Sequence, residues 1–340
     1  MVYINGVALS AYSDLVRIML DDRAAQGNGK PTVKESRGKR YWYAVERIAD
    51  KMHWRYIGPD DDATRARVER MESLRKQSEE RKEERRRLTR ILRAEGLAPV
   101  DVGTGKLLLA MEKVGVFRLG GTLVGTNAFR LMEPMILTRI PLDSAAFTGD
   151  IDIAQFERLS LAVGDHVEES LASTFKALDL QPIAGLTPGE EWRFRRQGKN
   201  EMTVEFLTPS FEPDEGIKHL AALGVKARAL HHLNYLIANP IPAVALYRNG
   251  VLVQIPRPER YAIHKLIVAD RRRDGADSFK AEKDRAQAAF IIEAMAESDP
   301  SSIWDAYQDA LDRGPRWRER IETSLDRMPR TRDALGSCQD

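Results

Sequence analysis

The chain has 340 residues, 43% of them hydrophobic and 31% charged, and its formal net charge is only +2. These values are typical of a soluble globular protein of two or three domains, and the total charge gives no argument for a nucleic-acid partner. No apolar run is long enough to span a bilayer, and no basic segment followed by an apolar one opens the chain, so we expect a cytoplasmic protein without a membrane partner. The single cysteine, Cys338, excludes internal disulfides and cysteine-based zinc sites.

The first sixty residues predict a helix followed by a small sheet. Apolar residues recur at helical spacing over residues 10–25, and residues 32–57 contain three runs of strand-forming residues separated by turns. The sheet is rich in aromatic residues that lie among lysines and arginines. Such residues either form the core of a small sheet or stack on nucleic-acid bases, and we favour the core.

Residues 64–95 contain neither glycine nor proline and mix acidic with basic side chains, which predicts a long solvated helix. Its apolar seam is interrupted in the middle, so its centre bridges solvent or a second copy of the chain, as in a homodimer. The strongest basic patch of the sequence covers residues 81–93. A solvated face is the favoured interpretation of this patch, and RNA contact is the alternative.

The rest of the chain predicts a mixture of strands and helices, with a boundary at Gly96 and Pro99. The predicted elements are helices over 105–114, 127–135 and 163–178, strands over 115–119, 150–154, 191–196 and 202–207, a hairpin over 241–255, and two helices between 256 and 295. Gly103-Thr104-Gly105-Lys106 lacks the glycine spacing and the final hydroxyl of a phosphate loop, so we interpret it as a helix start.

Three acidic residues stand inside otherwise apolar strands. Asp150 and Asp152 alternate with Ile151 and Ile153, so a strand places both carboxylates on one face and both isoleucines on the other. Two hard oxygen ligands at this spacing suit Mg²⁺, whereas the alternative is an acidic strand end that faces solvent. Glu205 is the acidic residue of a later apolar strand and needs a partner there.

These residues resemble the DNA polymerase beta-like nucleotidyltransferase superfamily. Its pattern is a strand ending in Gly-Ser or a close variant, a helix, an Asp-x-Asp strand and a third carboxylate on a neighbouring strand. The corresponding residues here are Gly125-Thr126, Asp150-Ile151-Asp152 and Glu205, with Gly120-Gly121-Thr122 as an alternative glycine motif. The segments around them are similar to bacterial stand-alone nucleotidyltransferase-fold proteins, a group that includes abortive-infection-type toxins. The likeness covers about residues 105–290.

The resemblance implies a role for each matching residue. Asp150, Asp152 and Glu205 would be catalytic and would hold two Mg²⁺ ions, which Mn²⁺ can replace. Gly125 and Thr126 would bind the nucleotide, and the same resemblance makes Lys265 and Lys283 candidates to contact its phosphates.

The implied activity moves a nucleoside monophosphate from a nucleoside triphosphate (NTP), ATP among them, to an acceptor hydroxyl of RNA, protein or a small molecule. The alternative is a catalytically inactive module of the same fold that binds nucleotide, RNA or a partner protein. Thr126 in place of the commoner serine, Glu205 in place of the commoner aspartate and the long interval between Gly125 and Asp150 are the grounds for this alternative.

The expected fold class is α/β (α+β), with a nucleotidyltransferase-fold mixed sheet flanked by helices. We expect four parts: an N-terminal helix, small antiparallel sheet and long charged helix over 1–96, a nucleotidyltransferase-fold domain over 97–255, a C-terminal helical subdomain over 256–330 and a flexible tail over 331–340.

Overall fold

A computed structural model shows the arrangement of most of the chain. The structure describes residues 1–25, 30–36, 38–48, 51–141, 149–157, 166–167, 170–183, 191–198, 201–274 and 278–339. The α/β class with one mixed sheet and one small antiparallel sheet is confirmed. Within these ranges, no helix combines the length and the apolar character needed to cross a bilayer.

The N-terminal region has the predicted order of elements. They are α1 (Gly6–Ala25), β1 (Lys30–Ser36), β2 (Lys39–Ile48), β3 (Lys51–Pro59) and α2 (Asp62–Ala94). The three strands form an antiparallel sheet in the order β1-β2-β3. Helix α2 begins after Asp61, whose side chain accepts a hydrogen bond of 2.8 Å from the backbone N–H of Thr64. This cap stabilises the start of the helix because it satisfies an otherwise free N–H donor of the first turn.

Part of the basic patch on α2 is used in packing. Arg81 and Arg85 both pair with the buried Asp22 of α1, at 2.5 Å and 3.0 Å. Arg85 also donates to the backbone carbonyls of Asn249 and Gly250. These contacts attach α2 to α1 and to the later hairpin. The homodimer through this helix and the domain boundaries stay predictions. The flexible tail expected over 331–340 is wrong, because residues 329–336 form a helix and the side chains of Leu335 and Cys338 are buried.

Among the residues that the structure describes, the central sheet is mixed and has seven strands. Its region contains α3 (Val102–Val114), β4 (Thr122–Val124), α4 (Gly125–Arg130), β5 (Asp150–Ala154), α5 (Leu171–Lys176), β6 (Gln181–Pro182), β7 (Arg193–Arg196), β8 (Met202–Pro209), β9 (Ile217–Leu220), β10 (Val225–Leu230) and α6 (Leu233–Leu236). The main path is β4-β5-β8-β10-β9, with β7 pairing β8 and β6 pairing β7. Strand β5 is antiparallel to β4 and parallel to β8.

The C-terminal part is a hairpin followed by helices. It consists of β11 (Ile241–Ala245), β12 (Val251–Ile255), α7 (Pro258–Arg271), α8 (Ser278–Ser298), α9 (Pro300–Leu311), α10 (Pro315–Leu325) and α11 (Pro329–Gly336). The main hydrophobic core joins the central sheet to α3, the hairpin and α7 to α11. A second core lies between α1, the end of α2 and the hairpin, where the backbone N–H of Val244 donates to the Tyr12 hydroxyl at 3.0 Å.

Three predicted elements differ from the structure. The predicted strand over 115–119 is wrong: Gly115 ends α3 with φ +95°, and the backbone N–H of Val116 turns back to the Met111 carbonyl at 3.0 Å. The helix predicted from 127 begins at Gly125 and gives way to turns after Arg130. Of the helix predicted over 163–178, the described part is the short α5, and residues 163–165 and 168–169 lie outside the described residues.

Candidate functional site

The central sheet places the three predicted carboxylates side by side. In the parallel pairing of β5 with β8, Asp152 lies directly opposite Glu205, and Asp150 lies two residues earlier on the same strand face. Ile151 and Ile153 are fully buried on the other face, as the alternation predicts. Asp150, Asp152 and Glu205 therefore form one acidic group, which we call the carboxylate cluster.

The three charges of the carboxylate cluster repel one another. Burial, together with the negative charges of Glu205 and Asp150, raises the pKa of Asp152 to about 7 despite the opposing effect of Lys265 and Arg272. Burial also raises the pKa of Glu205, where the charge of Arg193 opposes the shift and that of Asp150 adds to it. The cluster thus gains stability when a cation or a proton neutralises it.

This repulsion gives the metal-free protein a predictable pH dependence. In the folded state Asp152 keeps its proton up to about pH 7. In the unfolded chain, where its pKa returns to the ordinary value of 3.8, it has released that proton at the same pH. The contribution of this group to stability is therefore present below about pH 4 and is lost as the pH rises through about 7, by on the order of a few kcal/mol.

Thermal unfolding in EDTA between pH 4 and 8 tests this expectation. The melting temperature of the wild type should fall relative to that of Asp152→Asn as the pH rises, because the variant has no carboxylate to charge. Parallel curves for the two proteins over this range would show that Asp152 titrates as an ordinary carboxylate.

A glycine brings the backbone close to the carboxylate cluster. Gly125 begins α4 directly after β4, and its φ of +69° favours glycine. A Cβ atom at this position would lie 2.4 Å from Oδ2 of Asp152. The next residue, Thr126, is half-buried, and the Asn127 side chain donates to the Asp150 carbonyl at 2.7 Å. The glycine predicted to bind nucleotide is thus in contact distance of the predicted metal ligand.

We expect Gly125→Ala to impair the nucleotidyl transfer that the resemblance implies much more than its backbone strain alone would. The alanine adds the cost of positive φ, about 1 to 2 kcal/mol, and also displaces the Asp152 carboxylate. Gly224 is a matched control, because it has φ +64° and an added Cβ would meet nothing within 4 Å. Thermal unfolding and initial rates of label transfer check both variants. Equal activities for Gly125→Ala and Gly224→Ala would contradict the close approach.

Basic side chains of α7 and α8 lie on one side of the carboxylate cluster. Asp284, only 2% exposed, binds Nζ of Lys265 at 2.5 Å and Arg272 at 2.7 Å. The positive charges of Lys265 and Arg272 oppose the rise in the pKa of Asp152. Burial and the charge of Lys265 lower the pKa of Lys283, while Asp284 and Asp150 oppose the shift. Of the two lysines predicted to contact nucleotide phosphates, Lys265 is paired with Asp284, and each lysine interacts electrostatically with an aspartate of the cluster.

A second basic group lies on the Glu205 side. Arg193 on β7 is opposite Glu205 in the β7–β8 register, and their side chains are 3.8 Å apart. The guanidinium groups of Arg193 and Arg228 lie 4.6 Å and 5.6 Å from the centre of the Trp192 ring. Together with Lys280, these arginines oppose the rise in the pKa of Glu205. The acidic centre is therefore flanked by cations on both sides, an arrangement suited to a polyanion that arrives with its own cation.

A buried tyrosine supports the backbone of the glycine turn. The Tyr261 hydroxyl is hydrogen-bonded to the carbonyl of Gly125 at 3.0 Å and to the Gln287 side chain at 2.9 Å. Its ring stacks on Phe129 of α4 and lies 5.3 Å from Nζ of Lys265. Tyr261 thus links the glycine turn to the basic helices.

The carboxylate cluster is open rather than a preformed cage. Among the residues that the structure describes, no three acidic, histidine or cysteine side chains converge tightly enough to enclose a metal ion. The donor set consists of carboxylate oxygens, whose mutual repulsion a hard divalent cation would relieve. Mg²⁺ is commonly held by one or two carboxylates together with substrate phosphates and water, so an open acidic group fits it chemically.

Sequence reasoning missed several residues around the cluster, namely Trp192, Arg193, Arg228, Tyr261, Arg272 and Asp284. Arg193 had a usable signal, because the turn predicted between the strands at 191–196 and 202–207 places it opposite Glu205. The others come from elements distant in sequence, and a single sequence has no local pattern that brings them together.

Comparison with known proteins gives two matches. A family model described as nucleotidyltransferase matches residues 103–312, which is more than half of the chain and contains every residue of the site described above. A model described as a domain of unknown function matches residues 12–67. Comparisons with curated proteins and with solved structures find no match.

Proposed function

Because the chain belongs to this nucleotidyltransferase family, we propose that the carboxylate cluster carries out a Mg²⁺-dependent transfer of a nucleoside monophosphate from an NTP to an acceptor hydroxyl. One observation carries this proposal: Asp152 lies between the Gly125 turn and Glu205 on neighbouring strands, with Asp150 on the same face. Cationic side chains border this group on both sides.

The protein would bind the triphosphate through its backbone turn and its basic helices. Gly125 offers a backbone without a Cβ, and Thr126 adds a hydroxyl next to it. Lys265 and Lys283 would neutralise phosphate oxygens, and the electrostatic interaction of each with an aspartate of the cluster supports this role. Phosphoryl transfer depends mainly on such positioning and charge neutralisation.

Asp150, Asp152 and Glu205 would hold two Mg²⁺ ions, which Mn²⁺ can replace. When bound, these ions neutralise the phosphates and lower the pKa of the attacking hydroxyl. In the reaction, the acceptor oxygen forms a bond to the α-phosphorus, the bond from that phosphorus to the bridging oxygen breaks, and pyrophosphate leaves. The acceptor proton is released to water, because the carboxylates that would hold the metal ions are not free to take it.

The proposal also extends to the class of acceptor and to the biological role. The resemblance to toxin-type nucleotidyltransferases supports RNA or protein as the acceptor class. The competing function is a module that binds nucleotide without turnover, and the Arg193–Glu205 pair supports it because this arginine competes with a metal ion for Glu205.

A transfer assay separates the two functions. The full chain is incubated with each α-labelled NTP, Mg²⁺ or Mn²⁺, and total cellular RNA and protein, beside Asp152→Ala. Label transfer by the wild type alone supports the enzyme. Metal-dependent NTP binding without transfer identifies the inactive module. The absence of both NTP binding and transfer would refute the proposed site.

A further inference from the structure

One face of the N-terminal sheet carries aromatic rings and lysines together. Register and ring contacts place four aromatic residues on this face, and strand alternation adds three lysines. We call it the aromatic face and define it by Lys30, Lys34, Lys39, Tyr41, Tyr43, Trp54 and Tyr56. We propose that the aromatic face binds single-stranded nucleic acid, with bases stacked on its rings and phosphates held by its lysines.

The rings form a continuous group across two strands. Tyr43 lies 6.0 Å from Trp54 and 5.6 Å from Tyr56 between ring centroids, and Tyr41 lies 6.2 Å from Tyr56. The ring planes are tilted by 51° to 75°, so the rings do not cover one another by face-to-face stacking. Their faces are therefore partly free to receive bases.

Exposure separates Trp54 and Tyr56 from a core, whereas Tyr41 and Tyr43 are half-buried and Val45 on the same face is buried. Trp54 is 50% exposed and Tyr56 is 54% exposed, whereas Ala44 on the opposite face is buried. On that opposite side, α2 approaches the sheet so closely that a Cβ at Gly58 would lie 2.5 Å from the Thr64 hydroxyl. The expectation that these aromatics form the core of the sheet is thus wrong for Trp54 and Tyr56. A large exposed aromatic group usually marks a contact surface.

The charges of the aromatic face select the partner. Lys34 lies with its ammonium 5.6 Å from the centre of the Trp54 ring, and Lys30 and Lys39 are exposed on the same face. Among the described side chains of this face there is no carboxylate, and Glu35 falls on the opposite face. A second copy of the chain would bring lysines against lysines, because a two-fold interface pairs a surface with itself. A single-stranded nucleic acid instead supplies phosphates for the lysines and flat bases for the rings.

This proposal is independent of nucleotidyl transfer, because the aromatic face lies outside residues 103–312 and needs neither NTP nor metal. The region that contains it matches a domain of unknown function. Binding in EDTA without NTP therefore tests the aromatic face alone, and a failure of the transfer assay would leave the result unaffected.

Fluorescence anisotropy of the full chain with labelled twelve-nucleotide oligouridine and oligothymidine tests the proposal, with an RNA duplex as the third probe. We expect both single strands to bind better than the duplex, whose bases are stacked inside. Trp54→Ala should weaken single-strand binding by about 5- to 150-fold, and Trp54→Phe should retain most of it. Phe211→Ala is the matched control, because Phe211 is also highly exposed but lies elsewhere.

Salt dependence provides a second measurement that does not require changing an aromatic residue. Lys34→Gln should reduce the slope of log K against log salt concentration by about 0.7, the value for one phosphate contact to a single strand. Lys176→Gln, which removes an exposed lysine at the end of α5, should leave it unchanged. No binding of either single strand, an unchanged slope for Lys34→Gln, or a dimer in light scattering that Trp54→Ala dissociates would overturn the proposal.

Discussion

Replacing Asp152 with asparagine should lower the rate of nucleotidyl transfer by at least about 10²- to 10³-fold while the protein stays folded. Asparagine keeps the size of the side chain but removes the charge that the proposed chemistry needs. Asp152 occupies the centre of the cluster, opposite Glu205 and next to the Gly125 turn. Its loss therefore affects both the binding of the metal ions and the position of the triphosphate.

The stability of this variant distinguishes a catalytic role from a structural one. Because Asp152 is charged at a cost in the metal-free protein, Asp152→Asn in EDTA at pH 8 should be at least as stable as the wild type. Glu201→Gln is the control, since Glu201 precedes the same strand as Glu205 but pairs with Arg195 at 3.5 Å on an exposed surface. Initial rates of label transfer and thermal unfolding of the wild type, Asp152→Asn and Glu201→Gln distinguish the two roles. An active Asp152→Asn would remove the cluster from the mechanism.

Replacing Asp284 with asparagine should cause the largest loss of stability, about 3 to 5 kcal/mol in the free energy of unfolding. Asp284 is 2% exposed and is the shared partner of Lys265 and Arg272. Asparagine fits the same space, so the loss would come from two cations left without their anion and not from a cavity. Because Lys265 would no longer be held, transfer should decrease as well.

Urea unfolding measures this loss, with Asp309→Asn as the control. Asp309 pairs with Arg260 at 3.2 Å and Arg313 at 3.3 Å, but 39% of its side chain is accessible to solvent, so its replacement should cost less than about 1 kcal/mol. A double variant with Lys265→Met should cost less than the sum of the two single changes, because the pair is coupled. Equal costs for Asp284→Asn and Asp309→Asn would show that the buried pairing does not hold the basic helices.

Local patterns predicted the acidic part of the site. The alternation of Asp150 and Asp152 with two isoleucines identifies a strand with one polar and one buried face, and that strand is β5. The isolated acidic residue Glu205 likewise lies on a strand with buried neighbours. No local pattern predicts the parallel pairing of β5 with β8, because parallel strands are joined by long connections.

The basic part of the site depends on tertiary contacts. Lys265 and Asp284 come from two helices, and their pairing follows from the way α7 and α8 pack on each other. The incorrect strand over 115–119 has a different origin. Its apolar residues are buried as in a strand, but Gly115 adopts the left-handed conformation that ends α3, and the following backbone forms turns. Burial and strand propensity both favoured a strand at residues 115–119, but the left-handed conformation of Gly115 directs the chain into turns.

The position of the transferred label tests the central proposal most directly. The full chain is incubated with Mg²⁺, total cellular RNA and protein, and NTP labelled either on the α-phosphate or on the γ-phosphate. Attack on the α-phosphorus at the carboxylate cluster predicts that α-label joins the acceptor and that γ-label appears only in pyrophosphate. Transfer of the γ-label to the acceptor, or no Mg²⁺-dependent use of any NTP, would contradict nucleotidyl transfer by this protein.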